Sequence, residues 1–141
     1  TQDIIFIDSI VVDKDKFQQI MTNLIENSAK YSSGTNITKI STGMDNNKVI
    51  IKVTNTGINI SPDDYDKIFT KFSRIDNPLT RKVQGSGLGL YITKNLTEKM
   101  MGEISVNSIP LNNNENLGKI TFTLQFPILS IEEQARIKCS Q

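Results

Sequence analysis

The sequence predicts an α+β fold in which helices lie on one face of a mixed β-sheet. Two segments, 17–28 and 88–100, carry apolar side chains at the i, i+3, i+4 spacing of an amphipathic helix. Two others, 48–55 and 119–126, are rich in β-branched and aromatic residues and predict strands. The order of these segments, without an internal repeat, indicates an α+β arrangement.

The composition is that of a globular domain. The chain has 141 residues, of which 37% are hydrophobic and 22% charged, which is enough for one domain with a core. A formal charge of +1 gives no reason to expect nucleic acid or a membrane as a partner. No segment predicts a transmembrane helix or a signal peptide. We therefore expect a domain over residues 1–128, followed by a tail over 129–141 with weak helical character.

Three further observations bound the chemistry. The single cysteine, Cys139, cannot form an internal disulfide, which suits a reducing compartment. The chain contains no histidine, so histidine metal sites, histidine general bases and phosphohistidine are excluded within it. It starts without Met, and we expect it to be a fragment of a longer protein.

The first half of the chain is predicted to hold a helix between strands. Asp13 or Asp15 can cap this helix, which should end near Tyr31 or Ser32, in a turn where Gly34 can take a positive φ. The other expected elements are a strand at 4–7, a strand at 36–42, a hairpin turn at 44–47, and a strand at 48–55 with a loop after it.

The second half is predicted to hold two helices and two strands. Pro62 marks the start of a short helix that reaches residue 72, and the polar segment 73–85 is long enough to suggest a mobile functional loop. The remaining expectations are a helix opened by Gly87 or Leu88 and stopped by Gly102, strands at 104–108 and 119–126, and a loose turn at 111–117.

Four polar residues line one edge of the first helix. Asn23, Asn27, Lys30 and Tyr31 repeat at four and three residues, so they lie along one side of its apolar face. Two carboxamides, an ammonium and a phenol suit a ligand with phosphates, a hydrated metal and an aromatic base. A solvated helix edge is the alternative.

Glycine clusters supply two further candidate sites. In residues 85–90, Gly-Ser-Gly-Leu-Gly-Leu, glycines at the start of a helix let the backbone approach an anion. The run lacks the Gly-Lys-Ser/Thr of a P-loop and the spacing of a dinucleotide fingerprint, and a flexible hinge is the alternative. Asn55 follows the clearest strand, where its oxygen can accept a hydrogen bond from a base amine and Gly57 leaves room for a flat ring, although a simple turn is also compatible.

In this order and spacing, the motifs resemble the ATP-binding domain of sensor histidine kinases, within the superfamily shared with gyrase, the Hsp90 chaperone and MutL. The match covers about residues 4 to 127. Residues 23–31 resemble the N box, 53–60 the first glycine box, 68–76 the F box, 85–90 the second glycine box and 118–127 the last strand.

The resemblance implies a two-layer α/β sandwich of the Bergerat type, with a mixed sheet backed by three helices. It implies that ATP lies under a lid formed by residues 73–86. By family role, Asn27 would hold Mg²⁺, Asn23 and Lys30 would contact phosphate oxygens, and Tyr31 would flank the ribose or base. Arginines of the F box and lid would reach the phosphates, which the glycines of residues 85–90 would wrap. The expected ATP-binding residues are Asn23, Asn27, Lys30, Tyr31, Asn55, Gly57, Ile60, Phe72, Arg74, Arg81, Gly85, Ser86, Gly87, Leu88, Gly89 and Leu90.

The implied function is that of a protein-histidine kinase in a two-component pathway. Asn23 stands where the ATPase branch has a glutamate that activates water, and asparagine cannot act as a general base, so the chain is suited to presenting ATP rather than hydrolysing it. No catalytic residue lies within the fragment, because the acceptor histidine would belong to a dimerisation domain of the same protein, in cis or in trans within a homodimer. The other implied partner is a response regulator receiver domain. We expect a cytoplasmic location, either free or as part of a membrane-anchored sensor, without direct membrane contact by this domain.

Two residues depart from the family pattern. Asn55 replaces an aspartate that accepts a hydrogen bond from the adenine amine, which lowers binding by about 1 kcal/mol, or about fivefold. Asn59 replaces a second glycine, whose turn asparagine can still make because it tolerates positive φ. They motivate an alternative: a degenerate module that docks partners with little or no ATP binding. A stand-alone ATPase or serine-directed kinase is a third hypothesis.

Overall fold

The computed structural model describes residues 13–33, 37–73 and 87–128, together with residues 133, 135, 136 and 139. The strand predicted at 4–7, Gly34 and most of the predicted loop at 73–85 lie outside the described residues. None of the helices in the described part of the chain is long and apolar enough to cross a membrane.

Helix α1 (Lys14–Lys30) begins at Asp13, as the sequence predicts. The Asp13 carboxylate accepts hydrogen bonds from the backbone N–H groups of Asp15 and Lys16, at 3.0 and 3.1 Å. The helix ends at Lys30, one residue before the predicted end, and Tyr31 is its C-cap. Its buried residues, Ile20, Leu24 and Ser28, follow one another every four residues and face the sheet.

Four antiparallel strands form the sheet, in the order β1-β2-β4-β3. The mixed pairing expected from the sequence is absent among the described strands, because hairpins connect β1 to β2 and β3 to β4. A two-residue turn joins the first hairpin, with φ of 48° at Asn46 and 60° at Asn47, as a type I′ turn requires. The strands are β1 (Lys39–Asp45), β2 (Lys48–Ile58), β3 (Glu103–Leu111) and β4 (Asn114–Pro127).

The second hairpin is tighter than the sequence suggests. Instead of a loose turn over 111–117, Leu111 pairs directly with Asn114 and β4 starts there. The Asn114 side chain accepts a hydrogen bond from the backbone N–H of Asn116 at 3.0 Å, which supports the start of the strand. The asparagine-rich composition therefore marks a short turn with an extended continuation.

A pair of 3-10 turns replaces the short helix expected over 61–72. They span Pro62–Asp64 and Lys67–Phe69 and are closed by i→i+3 hydrogen bonds, such as that from Thr70 N to Lys67 O at 3.0 Å. The second turn buries Ile68 and Phe69 against the sheet. This segment therefore anchors the chain between β2 and the residues before α2.

Helix α2 (Gly89–Lys99) begins one residue after the predicted start, with Leu88 as its N-cap. Met101, with a φ of 60°, adopts the left-handed conformation after the helix, whereas Gly102 does not. Glycine at position 102 serves packing instead, because a Cβ there would lie 2.6 Å from Cδ1 of Phe126. Gly102 therefore follows the end of α2 as predicted, but glycine is needed there for packing against Phe126.

The core lies between the sheet and the two helices. Alternate residues of β2 and β4 are buried, which gives the sheet one apolar face. The Phe17 and Phe126 rings meet edge to face at 6.1 Å, and those of Phe69 and Phe122 at 6.3 Å. The α+β sandwich is thus confirmed, and its helices leave a cavity between α1, the start of α2 and the ends of β2 and β4.

Candidate nucleotide-binding site

The cavity has a volume of about 380 Å³. One wall is the polar edge of α1, the opposite side is the start of α2, and the floor is the apolar face of the sheet. The lining residues are Asn23, Glu26, Asn27, Lys30, Tyr31, Asn55, Ile58, Ile60, Ile68, Ser73, Gly87, Leu88, Gly89, Leu90, Ile92, Ile120 and Phe122.

The structure brings the four predicted polar residues of α1 together on this wall. Asn23, Asn27 and Tyr31 are half-buried, whereas Lys30 is exposed at the rim. Glu26 also lines the cavity, and the sequence analysis missed it although it lies three residues after Asn23 and four before Lys30. The wall therefore combines amide, phenol and ammonium groups with one carboxylate.

Asn23 connects α1 to the first turn of α2. Its Nδ2 lies 3.4 Å from the carbonyl oxygen of Gly89 and 3.3 Å from Oγ1 of Thr93, as a donor to both. Thr93 is fully buried and donates its own hydroxyl to the same Gly89 carbonyl at 2.8 Å. These contacts use the amide donor of Asn23 and link the polar wall of the cavity to the start of α2.

The start of α2 supplies the opposite side through residues 87–90. Gly87 has a φ of +71°, and a Cβ there would lie 2.7 Å from the carbonyl carbon of Phe72. Gly89, in contrast, has nothing within 4 Å of its Cβ position. The first-turn N–H groups of a helix have no acceptor within the helix, and no side chain of Leu88 caps them. This end of the cavity is therefore suited to an anion.

Asn55 lies at the apolar end of the cavity, among isoleucines and Phe122. Only 5% of Asn55 is exposed, and its Nδ2 donates to the carbonyl oxygen of Ser28 at 3.3 Å. Ile60, a predicted site residue, is 7% exposed and lines the same end. Four apolar residues that line the cavity were missed as site residues: Ile58, Ile120 and Phe122 on the strands and Ile68 in the second 3-10 turn. Apolar periodicity predicts that such residues are buried, but it does not distinguish the core from the wall of a cavity. An apolar slot with one polar side chain suits a flat heterocycle.

Several predicted residues do not line the cavity. Gly57 is buried beneath Tyr31, and a Cβ on it would lie 2.1 Å from the Tyr31 carbonyl oxygen. The expectation that Gly57 leaves room for a flat ring was therefore wrong. The space beside Gly57 is filled by the end of α1. Phe72 is 70% exposed, with a φ of 57°, and is not among the residues that line the cavity. Arg74, Arg81, Gly85 and Ser86 lie outside the described residues.

Asn59 has a role that the sequence analysis did not foresee. It is not among the described non-glycine residues with positive φ, so it does not make the glycine-like turn. Its Oδ1 accepts a hydrogen bond from Oγ of Ser108 at 2.6 Å. The same Ser108 Oγ accepts a hydrogen bond from the backbone N–H of Ile60 at 3.1 Å. The hydroxyl of Tyr65 accepts from Ser108 N at 2.8 Å. These contacts hold Ile60, and with it the apolar end of the cavity, against β3.

Metal binding in this cavity would depend on the ligand. Within residues 13–33, 37–73 and 87–128 there is no group of three or more His, Cys, Asp and Glu side chains that could hold an ion. Asn27 makes no side-chain hydrogen bond to the described part of the protein, and it lines the cavity together with Glu26. This donor set fits Mg²⁺, which retains waters and needs few protein ligands when phosphates are present.

Comparisons with known proteins identify the family of this chain. Residues 12–130 match the family model described as histidine kinase-, DNA gyrase B- and HSP90-like ATPase, and the chain belongs to this family. It is the ATP-binding domain type found in sensor histidine kinases, as the four motifs suggested.

Individual relatives are sensor kinases of bacteria. The chain is 38% identical to sensor histidine kinase WalK of Bacillus subtilis over 120 residues, which cover 83% of this chain and 19% of WalK. It is 40% identical to sensor histidine kinase GacS of Pseudomonas protegens over 106 residues, covering 72% of this chain and 12% of GacS. The chain thus spans a fifth or less of the length of these relatives.

Solved structures share the fold. The nucleotide-free catalytic domain of histidine kinase ThkA superposes with a TM-score of 0.63 at 30% identity, over 82% of this chain and 68% of that one. Full-length ShkA in complex with AMPPNP gives a TM-score of 0.66 at 24% identity, over 85% of this chain and 23% of ShkA. The second likeness supports the fold alone.

Proposed function

We propose that this chain binds Mg²⁺-ATP in the cavity and presents the γ-phosphate to a histidine on a dimerisation domain of the same sensor kinase. The observation that carries the proposal is the polarity of the cavity along its length. Asn55 and an apolar floor lie at one end, and the first turn of α2 lies at the other. A purine nucleotide has the matching distribution, with a flat apolar base at one end and phosphates at the other.

The proposed residue roles follow this orientation. Asn55 and Ile60 contact the base, and Tyr31 flanks the base or the ribose at the wall. Lys30, exposed at the rim, reaches phosphate oxygens through its flexible side chain. First-turn amides of α2, starting at Gly89, donate to the phosphates. Arg74 and Arg81 keep their proposed role as phosphate contacts from outside the described residues.

Asn27 is the proposed protein ligand of Mg²⁺, through its amide oxygen. Bound Mg²⁺ supplies charge neutralisation across the phosphate oxygens. Asn23 holds the start of α2 in place through Gly89 and Thr93, and keeps its proposed role beside the phosphates. Asparagine cannot act as a general base for water, so Asn23 favours transfer to an external nucleophile over hydrolysis.

The proposal extends to the intact protein. The acceptor histidine must come from outside this chain, which contains none, and the resulting phosphohistidine would pass its phosphoryl group to a response regulator receiver domain. We propose that the nucleotide-binding domain ends near residue 128, and that the domain works in the cytoplasm, where ATP is available and Cys139 stays reduced.

Calorimetric titration of the chain with ADP and with a non-hydrolysable ATP analogue, with and without Mg²⁺, tests the proposal. We expect micromolar binding that is strengthened by Mg²⁺, and a loss of most of the Mg²⁺ effect in Asn27→Ala. Asn46→Ala, in the β1–β2 turn far from the cavity, is the matched control and should bind like the parent chain. Absence of nucleotide binding in the parent chain would contradict the proposal and favour a docking module.

A second experiment separates ATP presentation from self-phosphorylation. Incubation of the chain with radiolabelled ATP should leave no label on the chain, because the acceptor group is absent. Retained label would show a phosphorylated side chain within residues 1–141 and would contradict transfer to an external histidine.

A further inference from the structure

Two threonines of helix α2 are completely buried, and their hydroxyl groups make the same bond within the helix. Thr93 and Thr97 lie one turn apart on its buried face. Each hydroxyl donates to the carbonyl oxygen four residues earlier, Thr93 to Gly89 at 2.8 Å and Thr97 to Thr93 at 2.7 Å. Such a bond satisfies a buried hydroxyl group, so neither threonine needs a partner outside its own helix.

Thr93 differs from Thr97 in one contact with helix α1. The side-chain nitrogen of Asn23 lies 3.3 Å from Oγ1 of Thr93. Because the Thr93 proton is directed to the Gly89 carbonyl, its oxygen is the acceptor of this hydrogen bond and Asn23 is the donor. Within the described part of the chain, the Thr97 hydroxyl is bonded to the Thr93 carbonyl alone. The two threonines are therefore alike inside the helix and differ in their contact with the wall of the cavity.

Two acceptors on α2 together hold the Asn23 amide. Its nitrogen lies 3.4 Å from the Gly89 carbonyl oxygen, in addition to its contact with Thr93. Both distances are longer than the usual range for such bonds, so each contact is weak alone and the amide depends on both. Asn23 lines the cavity, whereas Thr93 is completely buried and is not among the lining residues. Thr93 can therefore act on a bound ligand through Asn23 without touching it.

We propose that Thr93 is a positioning residue of the phosphate site, whose hydroxyl oxygen holds the Asn23 amide against the first turn of α2. This inference rests on the proposed nucleotide binding. A side chain that rotates freely loses conformational entropy when it contacts a ligand, and one that is already held loses less. The Thr93 hydroxyl therefore raises the affinity for the nucleotide by fixing Asn23 before the nucleotide binds.

Thr97 provides a matched control for the effect of removing a buried hydroxyl from α2. Thr93→Val keeps the branched shape of the side chain and removes both the bond to Gly89 and the contact with Asn23. Thr97→Val removes the equivalent bond within the helix and leaves Asn23 untouched. Comparison of the two variants therefore cancels the loss of the intrahelical bond and isolates the contribution of the contact with α1.

Calorimetric titration of the 141-residue chain with Mg²⁺-ADP tests this inference. Thr93→Val should bind ADP at least about fivefold more weakly than the parent chain, because the Asn23 donor then faces a methyl group. Thr97→Val should bind within about twofold of the parent. Thr93→Ser restores the hydroxyl without the methyl group and should also bind within about twofold of the parent, which a role in packing alone would not produce.

A double-mutant cycle shows whether Thr93 acts through Asn23. In an Asn23→Ala background, Thr93→Val should change the affinity for ADP by less than about twofold, because the group that Thr93 positions is gone. An effect of Thr93→Val on the fold in general would instead add to the effect of Asn23→Ala and would contradict the inference. If Asn23→Ala binds ADP too weakly to be measured, the difference between Thr93→Val and Thr93→Ser decides.

The outcomes separate the inference from the proposed function. Binding of ADP by the parent chain together with equal binding by Thr93→Val would overturn the inference and leave the proposed function standing. Equal weakening by Thr93→Val and Thr97→Val, or by Thr93→Val and Thr93→Ser, would do the same. A Thr93→Val variant without a thermal unfolding transition would show that the hydroxyl is needed for folding, which also overturns a positioning role. Failure of the parent chain to bind ADP would overturn the proposed function and the inference with it.

Discussion

The Tyr31 carbonyl oxygen fills the space that a side chain on Gly57 would need. A Cβ at position 57 would lie 2.1 Å from this oxygen, which also accepts a hydrogen bond from Ile58 N at 3.1 Å. The end of α1 is therefore seated directly on the backbone of β2. This contact sets the distance between the polar wall of the cavity and its floor.

Gly57→Ala should destabilise the protein by about 3 kcal/mol or more, because the methyl group must displace the Tyr31 carbonyl and break its hydrogen bond. Urea unfolding measures the loss. Gly43→Ala, on exposed strand β1 with nothing within 4 Å of the new methyl group, is the control and should change stability by less than about 1 kcal/mol. Similar values for the two variants would contradict the seating of α1 on Gly57.

Gly87 and Gly89 should respond differently to alanine. Gly87→Ala should cost about 2 kcal/mol or more in stability, since it combines a positive φ with a contact at 2.7 Å to the Phe72 backbone. Gly89→Ala should preserve or raise stability by about 0.5 kcal/mol, because the helix gains a better former and no atom is displaced.

Nucleotide affinity provides a second test of Gly89. If the α2 amides hold phosphates, Gly89→Ala should weaken Mg²⁺-ADP binding by about tenfold while the chain remains folded, because the methyl group hinders close approach of the anion. Thermal unfolding and calorimetry on one preparation give both quantities. Unaltered ADP affinity in a folded Gly89→Ala variant would remove Gly89 from the proposed phosphate site.

Ser28→Ala should stabilise the protein. The Ser28 hydroxyl is enclosed and has no hydrogen-bond partner in the described part of the chain. Its removal relieves a desolvation cost of about 1 kcal/mol and improves helix propensity by about 0.5 kcal/mol. The Asn55 contact uses the backbone carbonyl, which alanine keeps. Thr22→Ala, at an exposed position of α1, isolates the propensity gain. A Ser28→Ala variant less stable than the parent would show that the hydroxyl has a stabilising partner.

Ser108→Ala should destabilise by about 2 kcal/mol, since it leaves the buried N–H of Ile60 and the oxygen of Asn59 without their partner. Denaturant titration measures the change, and Ser105→Ala, exposed on the same strand, should stay within about 0.5 kcal/mol of the parent. A loss as small as that of Ser105→Ala would mean that water replaces the Ser108 hydroxyl.

Local pattern accounts for the parts of the fold that the sequence predicted well. The Asp13 cap and the burial of Ile20 and Leu24 depend on residues within one or two turns of each other. The alternation in β2 and β4 likewise reflects the two faces of a strand. These features follow from hydrophobic periodicity and helix capping, and both can be recognised in a single sequence.

Contacts between distant residues account for what was missed. Asn55 and Ser28 are 27 positions apart, and Asn59 and Ser108 are 49 apart, so neither pairing is visible as a spacing. The sequence identified Asn55 as a base contact and Asn59 as a turn, but tertiary packing decides which atoms of each amide are available. Gly57 was likewise predicted as a site residue, but glycine is needed there because the end of α1, distant in sequence, packs against it.

The contact of Gly87 with the Phe72 backbone has an evolutionary consequence. The chain leaves this point after Ser73 and returns to it at Gly87, so packing between described residues fixes both ends of the intervening 13-residue segment. Lengthening a segment between two clamped ends costs only about 0.6 kcal/mol for each doubling. Insertions and deletions between positions 74 and 86 can therefore accumulate among descendants without moving α2, which makes this stretch the natural place for homologues to diverge in length.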